Sequence, residues 1–150
     1  MTDKCALVAA YNDYMLSPRA FELLFGDDPS ALADSLTPYF HDDVVLNEPP
    51  SLPWGGLWHG REGFAGEGKA FVAAFRGDYE FKLVDETFLQ AGDATVYHNF
   101  EFNIVRRDDP AIVYNWHGVE RYAFTGDKVA YLDVLYKDTA GLMRFLGLIP

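Results

Sequence analysis

The chain has a single cysteine, Cys5, so no internal disulfide can brace it. Basic residues are scarce as well. Twelve Lys and Arg stand against 23 Asp and Glu, for a net charge of −11. The only adjacent basic pair, Arg106-Arg107, is followed at once by Asp108-Asp109. A nucleic-acid binder needs a basic patch, and this set does not build one. The same deficit disfavours docking on anionic membranes. No apolar run approaches the ~20 residues of a membrane span. Thr2-Asp3-Lys4 leads into an amphipathic pattern rather than the apolar run of a secretory signal. A cytoplasmic protein is expected, with neither nucleic acid nor membrane as partner. There is no repeat, linker or low-complexity stretch, so residues 1–150 read as one domain.

Aromatic residues are plentiful at 16%. They bring enough apolar area to wall a cavity as well as fill a core. A chain of this length buries roughly 70% of its unfolded surface, enough for a core without metal or disulfide.

Helical spacing of Leu7, Val8, Tyr11, Tyr14 and Met15 predicts a helix over 3–16. Ser17-Pro18 and Asp28-Pro29 each combine an N-cap with proline at the first helical position. They predict two short helices, the second ending near Pro38. A short strand at Val44 to Leu46 follows, then an ordered loop from Asn47 to Gly60. A helix is expected over Gly63 to Phe75. Strands are predicted over 79–90, 94–106, 112–124 and 129–136, with Phe81, Leu83 and Leu89 sharing one face of the first. Gly126-Asp127 suits a tight hairpin. Asp138 caps a last helix, docked by Leu146. Helices first and then a run of antiparallel strands make the fold class α+β rather than alternating βαβ.

Polar residues at positions where the pattern demands apolar ones carry the functional signal. A two-residue turn at Gly126-Asp127 pairs Thr125 with Lys128. Counting back pairs Tyr122 with Tyr131 and Glu120 with Asp133, and cross-strand partners share a face. His98 falls among the apolar even positions that include Phe100 and Phe102, and joins the same face if that strand meets the even face of the Trp116 strand. Other readings stay open. Glu120 and Asp133 could form a solvated pair or partner Arg121 or Lys82. His98 could be a hydrogen-bonded structural histidine, and Glu48 a loop cap. Trp54 and Trp58 could cover a pocket mouth or only pack their loop. His98, Glu120, Asp133 and Glu48 are ligand types for divalent ions, but no HxxxH or HxH spacing supports a metal site. No phosphate-loop glycine pattern supports a nucleotide.

Three segments carry a family resemblance. They are Tyr39 to Pro49 (YFHDDVVLNEP), Leu52 to Gly63 (LPWGGLWHGREG), and Gly118 to Tyr122 with Gly126 to Val129 and the end of the chain from Lys137. Together they resemble the SnoaL-like branch of the nuclear transport factor 2-like superfamily, which includes ketosteroid isomerases and polyketide cyclases. The resemblance implies a cone: a curved mixed or antiparallel sheet wrapped around N-terminal helices, with a deep pocket. It implies Glu48 at the position of the isomerase base, Glu120 near the proton-donating acid, and Tyr14 or Tyr11 at the isomerase tyrosine. It also implies pairing into a homodimer through the sheet. The expected function is cofactor-independent acid–base chemistry on a small apolar or polycyclic molecule: isomerisation, cyclisation, dehydration or epoxide opening. Glu48, Glu120, Asp133, His98 and Tyr14 are the catalytic candidates. Trp54, Trp58, Trp116, Tyr122 and Phe100 are the candidates for holding substrate. A non-catalytic binding or dimerisation domain is the alternative, favoured if aromatic side chains fill the pocket. A solvent-filled cavity lined by ionisable groups favours the enzyme.

Overall fold

The computed structural model describes residues 2–150. Helix α1 (Lys4–Met15) is capped by Asp3, α2 (Pro18–Phe25) by Ser17 and α3 (Pro29–Ser35) by Asp28; each cap side chain accepts a backbone N–H of the first turn. Strand β1 (Phe40–Glu48) follows, longer than its apolar run suggests. The glycine- and tryptophan-rich loop contains a further strand, β2 (Gly56–His59), that returns antiparallel along β1 and pairs Glu48 with Gly56. Helix α4 (Gly60–Phe75) then crosses to the strands β3 (Tyr79–Ala91), β4 (Thr95–Arg106), β5 (Val113–Thr125) and β6 (Lys128–Tyr136), and α5 (Thr139–Phe145) closes the chain.

The strand order is β2-β1-β6-β5-β4-β3, with β1 parallel to β6 and the other pairs antiparallel. The sheet is mixed, curled and unclosed, with α1 and α4 against it and α2 and α3 packed on α4, so the class is α+β as the element order predicts. One part of the core joins α1 to β1, β5 and β6 through Val8, Tyr11, Phe40 and Leu132. Another joins Trp54, Phe75, Ile104 and Trp116 to α5. Leu142 is the residue that α5 buries completely; Leu146, the expected dock, is only partly buried. The glycines of α4 have a packing role. A Cβ at Gly68 would lie 2.7 Å from Leu24, and one at Gly63 would lie 3.3 Å from Trp58.

Two bulges set which residues face inward. In β3, Val84 is an extra residue between Leu83 and Asp85, so the face reverses there. Phe81 faces the core before the bulge, whereas Glu86 and Phe88 are the inward positions after it and Leu89 is exposed. In β6, Ala130 is extra: Phe124 pairs with Val129, but Ala123 pairs with Tyr131. Beyond it the pairs are Tyr122 with Leu132, Arg121 with Asp133, and Glu120 with Val134. The expected pairing of Glu120 with Asp133 is therefore wrong by one residue, and a slip of one moves a side chain to the other face.

Candidate active site

A cavity of about 650 Å³ lies between the sheet and helices α1, α2 and α4. Its walls are mostly apolar, and three carboxyl groups enter it from three elements: Glu48 at the end of β1, Glu67 in α4 and Glu120 in β5. Glu48 and Glu67 retain only 6% and 7% of their exposure. Burial favours the neutral form of an acid, and nearby like charges push the same way. Both act here. Burial, then Glu67 and Glu120, push Glu48 up to about 10, against weaker opposing effects of Tyr136 and Trp54. Burial and then Glu120 push Glu67 up to about 8. Burial and mutual repulsion thus favour the protonated form of both Glu48 and Glu67.

Glu48 Oε1 accepts a long hydrogen bond from the Tyr136 hydroxyl at 3.4 Å, and its Oε2 has no partner among the described residues. The Trp54 indole N–H approaches closely enough to lower the pKa of Glu48, yet completes no hydrogen bond.

Glu120 is held differently. Its Oε2 accepts from the Tyr122 hydroxyl at 2.6 Å and lies 2.8 Å from His98 Nδ1. Asn12 on α1 donates to the Tyr122 oxygen and to the Val8 carbonyl, which fixes that phenol. His98 Nε2 lies 3.1 Å from Glu86 Oε2, and the imidazole stacks on Phe88 at 4.5 Å. Burial lowers the His98 pKa, but its hydrogen bonds and charge interactions with Glu120 and Glu86 outweigh that and leave it raised. A chain of polar groups therefore runs from the cavity through Glu120 and His98 to the partly exposed Glu86.

No family model and no curated protein matches the chain by sequence. Its structure matches solved ones over nearly its full length. An NTF2-like protein of unknown function from Burkholderia pseudomallei shares 15% identity, with 97% of this chain and 98% of that chain covered and a TM-score of 0.66. A candidate polyketide cyclase from Acidithiobacillus ferrooxidans shares 15% identity over 98% and 96% of the two chains, with a TM-score of 0.65. A protein from Catenulispora acidiphila with a ketosteroid isomerase-like fold, solved with trimethylamine, shares 17% identity over 85% and 88%, with a TM-score of 0.55. The fold is that of the nuclear transport factor 2-like proteins.

Within this fold the candidate residues divide by place. Glu48, Glu120 and Trp116 line the cavity. His98 and Tyr122 stand behind Glu120 as its hydrogen-bond partners. Tyr11, not Tyr14, reaches the cavity: Tyr14 stacks on Tyr39 instead, at 5.9 Å. Asp133 lies across the sheet from the cavity, because of the Ala130 bulge, and accepts a hydrogen bond from Asn47. Trp54 does not cover a mouth; it is fully buried against Phe71 and Phe75. Trp58 donates to the Trp54 carbonyl and packs its loop. Phe100 lies behind the wall against Trp116 and over Gly118, where a Cβ would meet its ring at 2.3 Å; Phe102 is the neighbour that lines the cavity. Glu67 and Glu86 went unrecognised in the sequence. The signal for Glu67 is there, three residues after Phe64 and four before Phe71, on the inward stripe of α4. Among the described residues no group of acids, histidines and cysteine is arranged to hold a metal ion, and no helix is long and apolar enough to cross a membrane.

Proposed function

We propose that the cavity is the active site of a cofactor-independent acid–base enzyme acting on a small apolar or polycyclic molecule, through isomerisation, cyclisation, dehydration or epoxide opening. The observation that carries this reading is the convergence of three carboxyl groups in one apolar cavity, where burial pushes Glu48 and Glu67 toward their neutral forms. Proton abstraction beside a carbonyl needs a base in reach of the carbon acid and a donor where negative charge develops on oxygen. Glu120 takes the proton, steadied by Tyr122 and His98. Glu48, a neutral acid in an apolar wall, donates to the oxyanion, as a carboxyl of raised pKa can. This reverses the roles that the isomerase resemblance implies for the two. A cavity of this volume takes a drug-sized molecule.

Carboxyl-carbon NMR titration tests the electrostatics without a substrate. Glu48 and Glu67 should both titrate above neutral pH. If both titrate near the ordinary value of about 4.3, the pocket is wet and the mechanism loses its basis.

Two copies are expected to pair through the outer face of the sheet, where Leu89, Val113 and Leu135 are exposed. Mixed apolar and polar surface suits such an interface. Light scattering at micromolar concentration that shows only monomer would remove this expectation.

A further inference from the structure

The cavity holds two buried acids, Glu48 and Glu67, that no basic side chain pairs with among the described residues. Glu48 faces Glu67, Glu120 and the hydroxyl of Tyr136, and Glu67 faces Glu120. Tyr11 comes in from α1, its own hydroxyl held protonated by burial and then by these acids. His98 is shared between Glu120 and Glu86. Arg107 is the one Lys or Arg lining the cavity among the described residues; it also lines a neighbouring depression with Asp78 and Asp108, and it does not figure among the groups that move Glu48 or Glu67. Burying acids together without a counter-charge is costly, and the site answers by keeping protons on them.

Two independent observations point to what could replace those protons. The buried Oε2 of Glu48 has no hydrogen-bond partner among the described residues. The wall around the acids is aromatic: Tyr11, Phe64, Phe71, Phe102, Trp116 and Tyr136 line the same cavity. Aromatic faces attract a cation, most strongly where water is excluded. The net charge of −11 raises the local concentration of cations over anions.

We propose that the ligand of this cavity is a protonated organic amine on an apolar, aromatic-sized body, with its ammonium group among Glu48, Glu67 and Glu120 and against the aromatic wall. This rests on the reading of the cavity as a substrate site and names the chemistry of what enters. An ammonium group favours the ionised form of the acids beside it. Glu67, the less strongly raised of the two, gives up its proton on binding, and Glu48 keeps the one it donates in the reaction while its free Oε2 accepts from the ammonium.

Calorimetry with naphthylmethylamine and naphthalenemethanol, two probes of nearly equal size, tests this on the whole chain. The amine should bind at least about 30-fold tighter than the alcohol, the factor expected of a desolvated cation–aromatic contact. Its heat of binding near pH 7 should vary with the ionisation heat of the buffer by the amount for release of about one proton. Glu67→Gln should reduce both the preference and the proton release; if that variant does not fold, Glu48→Gln, which keeps Glu67, should reduce the preference while the proton release remains. Equal or tighter binding of the alcohol, binding of neither probe, or amine binding without proton release overturns the proposal. If the alcohol wins while Glu48 and Glu67 still titrate above neutral pH, the acid–base reading stands and only the amine is lost. If those acids titrate at ordinary values, both readings fall.

Discussion

Glu120→Gln is expected to lower turnover of a reactive carbonyl or epoxide substrate by about 10²–10⁴-fold, the usual worth of a positioned general base. Glutamine keeps the shape of the side chain and can still accept from Tyr122 and sit against His98, so the fold should survive. What it loses is an oxygen able to take and hold a proton. The variant has a second readout that needs no substrate. Burial alone would lower the His98 pKa, and Glu120 provides the first of the contributions that raise it. Removing the Glu120 charge should therefore move the His98 titration downward, visible in its imidazole NMR signals. Glu86→Gln should also lower His98, but with a smaller effect on turnover, because Glu86 does not line the cavity. Turnover unchanged in Glu120→Gln would end its role as the base. An unchanged His98 would mean that the hydrogen bond between them does not persist in solution.

Much of the architecture is legible in the residue pattern, and what is not has an identifiable cause. Alternation along Val96 to Ile104 puts His98, Phe100 and Phe102 on the inner side of β4, and the paired strand places His98 opposite Glu120 and Phe102 opposite Trp116. The caps at Ser17, Asp28 and Asp138 start helices where proline or a side-chain oxygen can satisfy the first turn. The misplacement of Asp133 and of the inward face of β3 comes from bulges at Ala130 and Val84. Both bulged residues are ordinary side chains with no glycine to mark them, so a period-two count runs straight through each. Strand β2 hides in a segment of prolines and glycines because pairing with β1, rather than local preference, makes it extended. The site suffers accordingly. Glu48, Glu120 and His98 sit on strands whose faces can be counted, up to a bulge. Glu86 lies just past one. Glu67 needs α4 to be read through the glycines that weaken a helix in isolation but here admit Trp58 and Leu24 to its surface.

Stability against unfolding is expected to fall as pH rises from about 6 to about 8, by up to about 1.4 kcal/mol per pH unit for each of Glu48 and Glu67. In the unfolded chain both acids lose their protons near the ordinary 4.5; in the folded chain they keep them until about 10 and about 8. Between those limits the native state binds more protons than the unfolded state, so every step up in pH favours unfolding. The window closes near pH 8 for Glu67 and near 10 for Glu48, above which each is ionised in both states. His98 works in the same direction. Its folded pKa is raised, so the stability it contributes is complete below about 6.5 and is lost as pH climbs through the folded value. Urea denaturation at several pH values reads the combined slope. Glu48→Gln and Glu67→Gln should each remove one share of it, and each variant should be more stable than the parent at pH 8, since the neutral amide avoids the cost of keeping a proton on a buried acid. A flat or rising stability between pH 6 and 8 would mean that both acids are already ionised in the native cavity, with water or a counter-ion beside them.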